Sequence, residues 1–122
     1  MATFHFTDSH EYIREEEGSY FLGITGHAQQ ELGDITYVDL PEVGASYSAG
    51  ESCSTVESVK AVAEIYAPVD LKVASVNEEL EDTPELINQD AQGKGWLMAV
   101  ELSNAADLES LMDQEAYDAM EK

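Results

Sequence analysis

Glycine and proline punctuate this chain into short segments as far as Gly95, and that punctuation constrains the fold more than any other feature. Residues 20–25, 35–40, 51–56, 61–66, 72–76 and 96–102 alternate in polarity or are rich in β-branched and aromatic side chains, the pattern of strands with a buried face. Strands should therefore dominate the middle of the chain. Three helical pieces interrupt or close them. Residues 26–32 end at Gly33, which suits a C′ position. Residues 84–88 have Thr83 as N-cap and Pro84 at the first helical position. Residues 106–120 set Leu108, Leu111, Met112, Ala116, Tyr117, Ala119 and Met120 on one apolar stripe with acids opposite, which predicts a single amphipathic helix lying across a sheet. Glu15, Glu16 and Glu17 read as a solvated turn before Gly18. A faint repeat with an offset of 27 lays Pro41 on Pro68, Gly44 on Leu71, Gly50 on Asn77 and Glu51 on Glu78, as two similar β-halves about a quasi-twofold axis would, joined near Lys60.

The chain has 122 residues, 43% of them apolar, enough for one domain, 1–122, with a real core. Its 26 acids and 5 bases give a formal charge of -21, which repels phosphate backbones and anionic lipid surfaces, so neither nucleic acid nor a membrane is an expected partner. The longest apolar run, residues 96–100, is far below the roughly 18 residues of a membrane helix. Residues 1–8 have neither the basic start nor the apolar stretch of a targeting signal, so a soluble protein that keeps its N-terminus is expected. With Cys53 as the one cysteine, no intramolecular disulfide can form; the chain reads as intracellular, and two-electron thiol chemistry would need a cofactor.

Catalysis by the chain's own side chains is not expected. His10-Glu11 lacks the second histidine of a zinc-protease helix, and no metal site is predicted. Cys53 reads as a small core residue rather than a nucleophile. Gly93-Lys94-Gly95 lacks the upstream glycine and following hydroxyl of a phosphate-binding loop. The few cations are more informative: only Arg14, Lys60, Lys72, Lys94 and Lys122 are basic. Lys60, in Glu57-Ser58-Val59-Lys60-Ala61 between two predicted strands, should project from the tip of a tight hairpin, open to a modifying enzyme or simply solvated.

The chain resembles the H protein of the glycine cleavage system, a lipoyl carrier, from about His10 to Tyr117. The matching stretches are Ser9-His10-Glu11-Tyr12, Gly23-Ile24-Thr25, His27-Ala28-Gln29, Leu32-Gly33-Asp34, Leu40-Pro41-Glu42-Val43-Gly44, Glu57-Ser58-Val59-Lys60-Ala61, Tyr66-Ala67-Pro68-Val69, Asn77, Pro84-Glu85-Leu86-Ile87-Asn88 and Gly95-Trp96-Leu97. The resemblance implies a mainly β fold, a flattened barrel-sandwich hybrid with short helices and a C-terminal helix. It implies lipoate amide-linked to Lys60; biotin carriers flank their lysine with methionines, where this chain has Val59 and Ala61. It also implies a carrier rather than an enzyme. Lipoyl-Lys60 would accept an aminomethyl group from a pyridoxal-phosphate glycine decarboxylase, pass it to a tetrahydrofolate-dependent aminomethyltransferase, and be reoxidised by dihydrolipoamide dehydrogenase, after loading by a lipoate ligase or a lipoyl or octanoyl transferase. A groove near Ser9, His10 and Glu11, with Glu64, would hold the loaded arm. The location implied is cytoplasmic in a bacterium, or the mitochondrial matrix for a mature organellar form. The alternatives are a lipoyl relay or paralogue serving another pathway, and an unmodified acidic module recognised through its hairpin or C-terminal helix. Two residues depart from the family pattern. Leu71 stands where glycine is usual, so a strained or rebuilt turn is expected there, and Gly26 replaces a usual acid, which should weaken the start of the helix over 26–32.

Overall fold

A computed structural model describes residues 3–7 and 9–120, and it contains two antiparallel sheets that do not close into a barrel. Nine strands build them: β1 (Thr3–Phe6), β2 (Glu11–Glu16), β3 (Ser19–Ile24), β4 (Ile35–Asp39), β5 (Ser46–Tyr47), β6 (Ser52–Ser58), β7 (Val62–Tyr66), β8 (Leu71–Val76) and β9 (Met98–Leu102). One sheet has the order β1-β2-β3-β9-β8-β5 and the other β4-β6-β7. The helices are short: α1 (Gly26–Leu32), α2 (Glu79–Asp82), α3 (Leu86–Asp90) and α4 (Gln114–Met120), with a 3-10 turn at Ala105–Ser110. Ile13, Leu22, Val38, Val56, Ile65, Val73, Leu97 and Met98 pack between the sheets, none more than 3% exposed. Phe6, Tyr12 and Tyr117 form a second cluster, in which the Phe6 and Tyr117 rings stack at 4.4 Å.

The six predicted strands are all present, with ends shifted by one or two residues; β1, β2 and β5 are additional. In β2 the consecutive residues Glu11, Tyr12 and Ile13 are all buried, because Ile13 faces the main core while Tyr12 faces the second cluster; a strand covered on both sides loses its alternation. The expected acidic turn is shorter than predicted. Glu15 and Glu16 complete β2, and the chain reverses at Glu17-Gly18, both at positive φ (51° and 82°) as a type I′ hairpin needs.

The tail is not one helix over 106–120. Asn104 Oδ1 accepts from the Ala106 N–H to start the 3-10 turn, Met112 pairs with Phe6 through two backbone bonds of 2.7 and 2.8 Å, and Asp113 Oδ1 accepts from the Ala116 N–H at 2.8 Å to begin α4. The extended Met112 splits the apolar stripe, sending Leu108 to the main core and Tyr117 to the second cluster. The helix predicted over 84–88 also moves. Thr83 ends α2 instead of capping the next helix, and α3 begins at Leu86 after Glu85. The departures from the family pattern are quiet. Leu71 lies within β8, 2% exposed and without positive φ, so no turn is strained there. At Gly26 no acid sits in the first helical turn, yet Thr25 Oγ1 still caps α1 by accepting from the Ala28 N–H.

The feature that positions the site is one long hairpin. From the β6–β7 pairing it continues through Gly50 and Glu51 bonded to Ala67 and on to the β5–β8 pairing, where Ser46 faces Lys72. Its arms thus run through both sheets, and the bend at 59–60 lies at its far tip. Half of the sequence repeat survives in it: an offset of 27 carries β4 (Ile35–Asp39) onto β7 (Val62–Tyr66), and these strands flank β6 on either side. The turn positions do not correspond, since Gly44 has φ of 93° while its counterpart Leu71 is extended in a strand.

Candidate functional site

Lys60 sits at the hairpin tip because Glu57 and Val62 are the last paired residues and Ser58 closes the bend. The Ser58 N–H donates to the Ala61 carbonyl at 2.8 Å, and Ser58 Oγ accepts from the Lys60 and Ala61 N–H groups at 3.2 and 3.1 Å. The serine of the motif is thus a turn-former that satisfies the amides on either side of the lysine side chain. Val59, Lys60 and Ala61 are exposed, while Glu57 and Ser58 are half-buried.

The tip does not wave freely. The Val59 N–H donates to the Asp34 carbonyl at 3.1 Å, and the lysine stem lies over Gly33, where an added Cβ would fall 3.3 Å from Lys60 Cε. Gly33 has φ 80° and ψ -149°, a conformation open essentially to glycine alone. Asn88 of α3 holds this loop: its Nδ2 donates to the Gly33 carbonyl at 2.8 Å and to Gln29 Oε1 at 2.9 Å, and its Oδ1 accepts from the Ile35 N–H at 2.8 Å. The shelf under the lysine, made by Gln29, Gly33, Asp34 and Asn88, was not singled out from the sequence. The signals were there, in a glycine just past a helix and an asparagine following an apolar pair, but Asn88 lies more than 50 positions from the loop it secures.

At the other end of β7 lies the second part of the site. Four strand steps of about 3.3 Å separate Val62 from Tyr66 by roughly 13 Å. There Glu11 is 2% exposed, and its carboxylate accepts from Thr7 Oγ1 at 2.7 Å, Ser9 Oγ at 2.6 Å and the Tyr66 N–H at 3.2 Å. It therefore joins the start of β2 in one sheet to the end of β7 in the other. Glu64, between the two ends, is exposed and accepts from the Tyr66 hydroxyl at 3.2 Å, which raises the phenol's pKa. His10 faces elsewhere. It takes φ of 69°, its Nδ1 lies 2.6 Å from the Tyr117 hydroxyl, and its ring packs on His27 at 4.4 Å. The structure thus brings Ser9 and Glu11 to the Tyr66 end of β7 and sets Lys60 at the opposite end, while the His10 ring belongs to the contact between α1 and α4. Among the described residues no three His, Cys, Asp or Glu side chains gather as metal ligands, and no helix is long and apolar enough to cross a membrane.

Cys53 is a packed strand residue, 4% exposed, whose thiol donates to the Ile65 carbonyl at 3.4 Å. Burial, with the charge of Glu11 adding, pushes its pKa up to about 12. A thiol held protonated does not exchange disulfides at neutral pH. Cys53→Ser is expected to keep full carrier turnover, and the parent thiol to resist iodoacetamide at pH 8 until the chain unfolds. Because the folded pKa is raised, the stability tied to this thiol is complete below its ordinary value of about 9.0 and drains away as the pH climbs from there towards 12, a trend that Cys53→Ser should flatten in alkaline melts.

An exposed lysine fixed at a hairpin tip, with a shelf under its stem, is the geometry that a swinging-arm carrier needs. Sequence comparison places it further. A profile of the glycine cleavage H-protein family matches residues 4–122. The glycine cleavage system H protein of Shewanella loihica is 53% identical over 116 residues, covering 94% of this chain and 90% of its own, and that of Shewanella woodyi 52% over 120 residues, covering 98% and 93%. A crystal structure of the glycine cleavage system H protein from Mycobacterium marinum superposes with a TM-score of 0.88 at 35% identity, over 97% of this chain and 95% of that one. The chain belongs to the glycine cleavage H-protein family, and its role is that of a lipoyl carrier in glycine cleavage.

Proposed function

We propose that Lys60 is the attachment site, carrying lipoate in amide linkage, and that Glu57, Ser58, Val59 and Ala61 form the motif that the modifying enzyme, a lipoate ligase or a lipoyl or octanoyl transferase, engages. The observation that carries this is the hairpin tip itself: among the described cations, Lys60 alone stands at the tip of a β-hairpin, on a turn that is held by its neighbours and open to solvent. Lys72 pairs within β8, Lys94 lies in the loop before β9, and Lys122 falls outside the described residues. The arm would take an aminomethyl group from the pyridoxal-phosphate glycine decarboxylase, deliver it to the tetrahydrofolate-dependent aminomethyltransferase and be reoxidised by dihydrolipoamide dehydrogenase. The chain is the cofactor-bearing component of that system, working in the cytoplasm of a bacterium. Lipoate supplies the exchangeable sulfur pair, a chemistry the protonated Cys53 does not offer.

The groove for the loaded arm follows β7 from Lys60 past Glu64 towards Ser9 and Glu11. In the loaded form the arm would lie along that strand, and the carboxylate at the Tyr66 end would attract its aminomethyl cation. Glu11 already accepts three hydrogen bonds, and the exposed Ser9 is the donor best placed to swing aside. Such an attraction is worth on the order of 1 kcal/mol in a partly wet site. Glu11→Gln keeps the shape and removes the charge. It should shorten the lifetime of the aminomethyl-loaded form several-fold at low salt and leave lipoate attachment unchanged; equal lifetimes for variant and parent would take Glu11 out of the site.

A further inference from the structure

Apolar side chains left in water are unevenly spread over this molecule. Six large ones are exposed among the described residues, and four of them, Tyr37 (51%), Val59 (67%), Val62 (63%) and Tyr66 (39%), belong to the three-stranded sheet or its tip. Register shows why they share a surface. Tyr37, Glu57 and Val62 form one cross-strand row on the outer face, Asp39, Thr55 and Glu64 the next, and Ser52 with Tyr66 the third. The rows between them, Val38-Val56-Ala63 and Ser54-Ile65, turn inward to the core. The outer face therefore interleaves apolar side chains with carboxylates, and none of its acids takes part in the three ion pairs found among the described residues. Lys60 stands at its rim. The other described cations, Arg14, Lys72 and Lys94, lie in the six-stranded sheet or the loop that leads into it.

We propose that this face, centred on Tyr37, Val62 and Tyr66 and rimmed by Asp39, Glu57 and Glu64, is the surface on which partner proteins dock, and that those partners present lysine or arginine around an apolar recess. The proposal rests on the lipoyl-carrier reading above. Charge chooses the occupant. A second copy of this chain would bring another -21 and the same acids against the face, and a phosphate backbone or an anionic membrane would be repelled in the same way. A basic protein gains both the long-range attraction that speeds encounter and burial of two tyrosines and two valines. Amide formation at Lys60 Nζ removes the one cation at the rim, so the lipoylated carrier, before it takes up an aminomethyl group, presents a purely acidic face to such partners, whereas the enzyme that modifies it meets a face with that cation still in place.

The test uses the full-length lipoylated chain as substrate for the pyridoxal-phosphate glycine decarboxylase, with intact mass confirming lipoate on every variant. Tyr37→Ser combined with Val62→Ser should raise the KM for the carrier at least about tenfold with kcat within about twofold. Asp39→Asn combined with Glu64→Gln should raise KM at low salt and flatten its dependence on ionic strength. Lys72→Ser, on the opposite sheet, should change neither. Unaltered KM and salt dependence in both face variants, with lipoylation complete, would overturn the docking face and leave the carrier reading standing; so would self-association of the parent chain that the Tyr37→Ser/Val62→Ser variant abolishes. If that double variant melts early, the charge pair decides alone, since both of its substitutions are isosteric and exposed. Absence of lipoate from Lys60 in the parent chain would overturn both.

Discussion

Lys60→Arg is expected to abolish lipoylation and glycine cleavage together, with the melting temperature unchanged within about a degree. Arginine keeps the positive charge and a stem that can lie over Gly33, but a guanidinium does not form the amide that an ε-amine does. The turn relies on the Ser58 hydroxyl and the backbone of 58–61 rather than on the lysine side chain, so the fold should not register the change. Peptide mapping after co-expression with a lipoate-protein ligase reads the result. Lipoate on Lys72 or Lys94, or a modified Lys60→Arg chain, would refute the assignment.

Gly33→Ala should be the most damaging small substitution near the site. A φ of 80° with ψ of -149° strains any residue with a Cβ by about 1–3 kcal/mol, and here the new methyl would also press on the lysine stem 3.3 Å away. A fall in melting temperature of roughly 5–10 °C is expected for a chain of this size. Asn88, Asp34 and Val59 are all bonded to this short loop, so the tip should shift with it and lipoylation should slow several-fold even below the melting point. A chain that melts and is lipoylated like the parent would show that the shelf is not needed.

How much of this was legible in the sequence depended on how local the cause was. The hairpin around Lys60 was readable because both arms alternate and the turn between them is short and polar. β2 was not, since Tyr12 and Ile13 are buried on opposite faces by partners far along the chain, Tyr117 among them. The tail misled because its apolar residues do fit one helical stripe. What divides it is a backbone pairing between Met112 and Phe6, 106 positions apart, that no local pattern announces. The same holds for Glu11. Resemblance singled it out as a groove carboxylate, but its tie to the Tyr66 amide across the two sheets appears only once the fold has brought the strands together. Composition had little bearing on function. The acidity excluded some partners, whereas the attachment site followed from the motif and its turn.

The long hairpin also limits how this chain can change length. Its two arms pair from Ser46 and Lys72 out to Glu57 and Val62 with one register shift, between Ser52 and Ser54; beyond that bulge the pairing is regular, and a single residue inserted in one arm there would slip it, turn the outer side chains of that arm inward and rotate the lysine away from its shelf. In that regular stretch additions or losses are tolerated only as matched sets, one on each arm, and each matched pair would move the tip about 3.3 Å along the strand axis. The reach of the cofactor is thus counted out by the protein in whole strand steps. A carrier of this build and the depth of its partners' active sites can alter only together, in increments of a residue pair.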